Sequence, residues 1–167
     1  VPVFWRIHKV HPADPDFDVT TGVRFHPVEI LLSMCVKMVA VIFLGAGVFA
    51  VIVFESLLNA TSMFNHGNVR LVPSVDKWVR KIVVTPDMHR VHHSVLIDET
   101  NSNFGFNLAF WDRLFGTYRA APKMAHESMN IGIETSGKQS RQSLWTLIHM
   151  PLRDEQGAFP FGRGGGK

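Results

Sequence analysis

The sequence predicts an all-α protein held in a membrane by a helical hairpin, with a histidine-rich region at the membrane surface. Three observations carry this prediction. First, residues 30–54, "ILLSMCVKMVAVIFLGAGVFAVIVF", contain Lys37 as their one charged residue, and about 20 apolar residues suffice to cross a bilayer. A buried core helix of a soluble domain is the alternative for such a run. Second, Gly45-Ala46-Gly47 sits in its middle, and glycines weaken a helix interior and permit a reversal. The run is therefore either a single span or a hairpin with arms near 28–44 and 48–64. Third, histidines gather on both sides of the run, in "HKVHP" (8–12) and in "TPDMHRVHHS" (85–94). Groups sharing one site must lie on one side of the bilayer, which a single crossing would prevent. A shared site thus favours a hairpin, or a re-entrant pair of half-spans, with the membrane segment at about 30–64.

The elements follow in order. Residues 1–29 are polar and rich in proline and aspartate, and predict a loop with at most one short helix. Cys35, the single cysteine of 167 residues, is expected to be a buried, inert thiol; its solitude excludes an intrachain disulfide and a cysteine-rich zinc site. Residues 59–74 return to polar and turn-forming types. Residues 75–84 place Lys77, Arg80 and Lys81 between apolar positions, as in an amphipathic helix at a membrane surface or an ordinary surface helix. These cations beside the apolar run point to the cytoplasmic face. Thr85-Pro86-Asp87 predicts a helix start, with Thr85 as cap and Pro86 at the first position. Residues 101–118 predict a loop and an aromatic-rich helix that ends at Gly116. The glycine-rich end, 159–167, is expected to be disordered. The organisation expected is a domain over 1–120 and a C-terminal extension over 121–167. The net charge of +3 is not gathered into a stripe, so no nucleic-acid partner is expected. Nothing reads as a signal peptide, and the start at Val1 suggests an upstream portion.

Placement of the nine histidines carries the chemistry. His89, His92 and His93 are spaced i, i+3, i+4, which puts them on one face of a helix. His8 and His11 repeat the i, i+3 part. His126 and His149 stand alone and read as satisfied core or surface residues. H-E-x-x-H is absent, and so are a cysteine cluster and the E-x-x-H pairs of bundle di-iron sites. So many imidazoles exceed one tetrahedral zinc and suit two metals, with iron plausible for oxygen chemistry.

The stretches "FWRIHKVHP", "DVTTGVRFHPVE", "FNHGN", "TPDMHRVHHS" and "NFGFNLAFWDRLFGTY" resemble, in order and over most of residues 4–118, the fatty acid hydroxylase/sterol desaturase superfamily. These are membrane-bound histidine-box di-iron enzymes. The resemblance implies two Fe ions and a histidine-rich catalytic region. It also implies hydroxylation or desaturation of a C–H bond in a sterol or fatty acyl lipid, with O2 and electrons from a cytochrome b5-like or ferredoxin-like partner. It assigns His89, His92 and His93 to the final box, His8 and His11 to the middle box, and His66 to the histidine after the membrane segment. His26 lies on a family motif as a further candidate ligand. Glu29 would orient a ligand or cap charge at the membrane edge, Asp87 would orient an imidazole or cap its helix, and Asn68 would act through water. Trp111, Asp112 and Arg113 would form a packed helix with an ion pair. Two departures stand out: Pro12 replaces the middle box's third histidine, and the first box is absent. Seven candidate ligands fall short of roughly four per iron, so an upstream segment is expected to supply the rest. Pro12 leaves open a non-catalytic lipid-binding membrane relative with a degenerate metal site; a membrane cytochrome with bis-histidine haem is a separate alternative.

Overall fold

The computed structural model describes residues 2–133 and 143–152; the glycine-rich end lies outside them. The described residues form short helices around two long ones: α1 (Pro2–His8), α2 (Pro27–Leu44), α3 (Val48–Asn65), α4 (Pro73–Val79), α5 (Pro86–Arg90), α6 (Ile97–Thr100), α7 (Phe110–Leu114) and α8 (Leu144–His149). Among them there is no strand; Val83 with Leu108 and Ser94 with Ile131 make isolated antiparallel bridges.

Helices α2 and α3 are the hairpin. Gly45 takes φ 61°, the left-handed conformation that closes α2, and its N–H and that of Ala46 donate to Ile42 and Val41 carbonyls. A side chain there would be strained by the backbone even though nothing crowds it. Eighteen residues per arm give roughly 27 Å of helix, close to the ~30 Å hydrocarbon thickness. The mean hydropathy reaches 2.1 in α2 and 1.4 in α3. No α2 residue is buried, and in α3 only Ser62 and Asn65 are. Cys35 is therefore exposed on α2 rather than buried: among the described residues nothing folds over the hairpin's outer face, which leaves that face to lipid. Lys37 finds its partner across the hairpin, its Nζ 2.6 Å from Glu55 Oε1.

Helix α3 ends at Asn65, one residue past the predicted arm, and carries polar residues in its last turns. The Asn59 amide and Thr61 hydroxyl donate back to the Glu55 and Leu57 carbonyls, so these polar side chains turn onto their own helix instead of breaking it. The apolar core is small: Val10, Ala13 and Met150 form one cluster, and Val84, Met88 and Ala109 another. Met150, with the antiparallel bridge to Ile131, ties residues beyond 120 to the domain. Most other buried side chains are polar, and histidines dominate the middle of the domain.

The segment after Pro86 departs from a plain helix. It is α-helical only through Arg90, and Val91–His93 continue as a 3-10 turn. Thr85 is extended, as a capping residue is, but its hydroxyl is buried without a hydrogen-bond partner. The helix start therefore rests on Pro86 and on the Thr85 carbonyl, which accepts from the His89 N–H.

Candidate metal centre

Six histidines converge from three places: His8 and His11 from α1 and the turn after it, His66 from the end of α3, and His89, His92 and His93 from α5 and its 3-10 extension. Nitrogens of His11, His66, His89 and His93 all lie within 4.8 Å of one another. His66 Nδ1 is 2.8 Å from the Ser62 carbonyl and His11 Nδ1 is 3.2 Å from the Arg24 carbonyl. A carbonyl only accepts, so each Nδ1 carries the proton and each Nε2 presents a lone pair inward. The His66 Nε2 is 3.0 Å from both His11 Nε2 and His89 Nε2. Facing lone pairs repel unless a proton or a cation lies between them. His89 Nδ1 and both ring nitrogens of His93 are buried without a hydrogen-bond partner. A divalent cation among these four rings would separate the facing lone pairs and take one otherwise unpartnered nitrogen of His93, so the donor set fits a metal.

His8 and His92 form a second group beside the first. Their Nε2 atoms are 3.2 Å apart. His8 Nδ1 donates to Glu29 Oε1 at 2.8 Å, and His92 Nδ1 donates to the Ser102 carbonyl at 3.1 Å. Both Nε2 lone pairs again face inward. The 3-10 turn accounts for this division: it sends His92 toward His8 while its neighbour His93 meets His11, at a ring separation of 4.8 Å. Rings of the two groups adjoin at 5.4 Å between His8 and His11 and 5.5 Å between His89 and His92.

Burial sets the charge state. It pushes the His66 pKa down to about 4 and that of His92 down to about 3, and the neighbouring imidazoles add to the effect. It also holds His11, His89 and His93 well below the ordinary value. The five rings are thus neutral at pH 7, the form that binds metals.

The structure does not bring His26 into this cluster. His26 is the N-cap of α2: its Nδ1 accepts from the Val28 N–H at 3.2 Å, and its Nε2 donates to the Ile148 carbonyl at 3.1 Å. Both nitrogens are occupied, which corrects its reading as a ligand. Asn68 accepts from Arg90, and Asp87 pairs with Arg90 at 3.1 Å and Arg70 at 3.7 Å, so neither side chain bonds an imidazole of the cluster. Asp112 accepts from the Gly105 N–H and the Thr117 hydroxyl, while Arg113 donates to the Ala109 and Arg80 carbonyls. The 110–114 helix is thus held by hydrogen bonds to loops, in place of the expected ion pair. His149 is exposed and caps its own helix turn at Trp145; His126 is half-buried beside Asp87 and Arg90. Pro12 is buried next to His11.

Sequence reasoning missed the aromatic walls. Phe25 stacks on His11 at 4.5 Å with a 2° interplanar angle. Phe17 meets His93 edge-on at 5.0 Å, and Phe104 meets His92 at 5.3 Å. Both Phe17 and Phe25 lie in "PDFDVTTGVRFHP", where their alternation with polar residues gave no sign of which face they line.

The sequence profile of the fatty acid hydroxylase family matches residues 1–117. Among curated proteins, the chain is similar to the ornithine lipid hydroxylase OlsE of Rhizobium tropici, 30% identical over 163 residues that make up 98% of this chain and 44% of that protein. It is similar to the alkylglycerol monooxygenase of Homo sapiens at 26% identity, covering 72% of this chain and 26% of that protein. The Xenopus tropicalis alkylglycerol monooxygenase is 30% identical, with 71% and 25% covered. The chain spans less than half the length of these relatives. No solved structure matches it.

Proposed function

Because the chain belongs to the fatty acid hydroxylase family, we propose that it carries most of the iron site of a membrane-bound, O2-dependent lipid hydroxylase. The observation that carries this reading is the pair of inward-facing imidazole groups. On it, His11, His66, His89 and His93 hold one iron, and His8 and His92 contribute to a second. Iron, when bound, supplies the activation of O2 and the one-electron chemistry that an unactivated C–H bond requires.

The protein's own part is to prepare the ligands and enclose them. The Ser62, Arg24 and Ser102 carbonyls and the Glu29 carboxylate each hold an Nδ1 proton, which fixes the ring and its tautomer. Glu29 also adds electron density to His8. Phe17, Phe25 and Phe104 wall the imidazoles against water. Asn65 at the end of α3 bonds the Phe106 carbonyl, so the site sits at the hairpin base, where a lipid tail is within reach while the rest of the lipid stays in the bilayer. Lys77, Arg80 and Lys81 follow that base and support a cytoplasmic face. The relatives' names, an ornithine lipid hydroxylase and alkylglycerol monooxygenases, favour hydroxylation of a lipid that bears an acyl or alkyl chain. A cytochrome b5-like or ferredoxin-like partner would supply the electrons.

Iron analysis of the full-length protein tests this. About two irons per chain are expected, with loss on His66→Ala and on His92→Ala; stoichiometric zinc without iron would overturn it. Pro12 favours a second reading, a lipid-binding relative that has lost catalysis. Should the wild type and Pro12→His both bind lipid and neither oxidise any, that second reading holds.

A further inference from the structure

A second cavity lies beside the histidines and is built for something other than a metal. It occupies about 400 Å³ between the loop at 104–106 and α7, and Phe104, Phe106, Trp111 and Phe115 supply most of its wall. That volume falls in the range of small-ligand sites. Asp112 is the charged residue in the lining. It is buried, and its two carboxylate oxygens are taken by the Gly105 N–H at 2.8 Å and the Thr117 hydroxyl at 2.7 Å. Both oxygens are thus engaged by groups of the cavity's own wall.

Its two sides differ. On one side, Phe115 and Trp111 are 72% and 50% exposed, open to an apolar ligand. On the other, Phe104, itself 41% exposed, meets the His92 ring at 5.3 Å. Phe106 lies 6.1 Å from Phe25, which in turn stacks on His11. One phenylalanine thus leads to each histidine group. The loop carrying both is pinned, because any side chain at Gly105 would meet Asp112 Oδ2 at 2.5 Å.

We infer that this cavity takes the aliphatic chain of a lipid, threaded from the exposed rings of α7 toward His92, and that Phe104 sets how far the chain reaches. The occupant is a hydrocarbon chain on three grounds: four of the seven lining residues are aromatic, both oxygens of the one carboxylate are already bonded, and Phe104 is shared between the cavity wall and the His92 ring. This rests on the lipid-hydroxylase reading and names where its substrate lies.

The test uses the full-length protein in nanodiscs with a diazirine-bearing stearic acid, photolysed and mapped by peptide mass spectrometry. Label is expected on residues 104–117, removed by excess unlabelled stearic acid and reduced at least fivefold by Phe115→Asp, with metal content unchanged. Label confined to α2 and α3, or label on 104–117 that neither competitor nor Phe115→Asp reduces, would show general contact with lipid and overturn the inference. Where the protein oxidises a lipid, Phe104→Ala is expected to move the oxidised carbon along the chain; an unmoved position removes Phe104 from its role. Competed, Phe115-dependent labelling in a protein that oxidises nothing would keep the chain site while the hydroxylase reading fails. Lipid oxidation without such labelling would do the reverse.

Discussion

Acid should unfold the metal-free protein well before its carboxylates titrate, because its interior is built of neutral imidazoles. An unfolded histidine titrates near 6.5. In the fold, burial pushes His66 down to about 4 and His92 down to about 3. A depressed folded pKa means that the unfolded chain binds more protons below pH 6.5, so stability is full above that pH and falls as pH drops. The loss for each ring continues until its folded pKa is reached. At pH 5, each of these two rings forfeits about 2 kcal/mol, or about 4 kcal/mol together. His11, His89 and His93 shift in the same direction and add to that loss, which is set against the whole stability of an ordinary domain, about 5–15 kcal/mol. The assay is thermal unfolding of chelator-treated full-length protein, followed by tryptophan fluorescence from pH 7.5 to 5. The melting temperature should fall steeply below pH 6.5, and restored metal should move that fall to lower pH by competing with protons for the same nitrogens. A melting temperature that stays level from pH 7.5 to 5, or rises, would refute the reasoning.

Three further outcomes are expected. Glu29→Gln should weaken metal binding about 10–100-fold, since it removes the carboxylate behind His8; competition against a colorimetric chelator measures this, and unchanged affinity would place Glu29 outside the site. His26→Ala should cost about 1 kcal/mol through the lost cap of α2 while metal content stays at the wild-type value, which denaturant titration and elemental analysis check together; lost metal would return His26 to the ligand set. Gly22→Ala would set a Cβ 3.0 Å from Ser62 Oγ and 3.1 Å from His66 Nδ1, so it should destabilise by about 1–3 kcal/mol and lower metal affinity through His66, whereas Val23→Ala, at an exposed neighbour, should alter neither.

The hairpin is legible from two local signals, the apolar run and the glycines at 45 and 47, together with a long-range one: local signals alone leave a single span open, and the histidine groups on both sides of the run decide for the reversal. Six of the seven histidines proposed as ligands come together, because spacing along short helical turns survives even where the helix tightens to 3-10. His26 shows the limit of such reading. A histidine that caps a helix and one that faces a metal are the same letter, and only the third dimension shows which nitrogens are already bonded. The partners that orient the rings were invisible for a related reason. The groups behind His11, His66 and His92 are backbone carbonyls of Arg24, Ser62 and Ser102, and every residue type carries one. Phe104 and Phe106 likewise matter through where their loop is pinned, which depends on Asp112 receiving the Gly105 N–H.

The ion pair between Lys37 and Glu55 bears on how the protein is made. The partners are 18 positions apart in the chain, an interval of roughly one to four seconds at ordinary synthesis rates. Until Glu55 emerges, α2 carries a solitary ammonium, whose placement at the centre of a bilayer costs about 2.5–3.5 kcal/mol on insertion scales. Helix α3 has the complementary problem with its carboxylate. Each charge loses that cost once the turn at Gly45 has brought α3 back beside α2. The ion pair therefore favours the paired hairpin over either arm alone in the bilayer. The same reversal delivers His66, at the far end of α3, back to the side that holds His8 and His11.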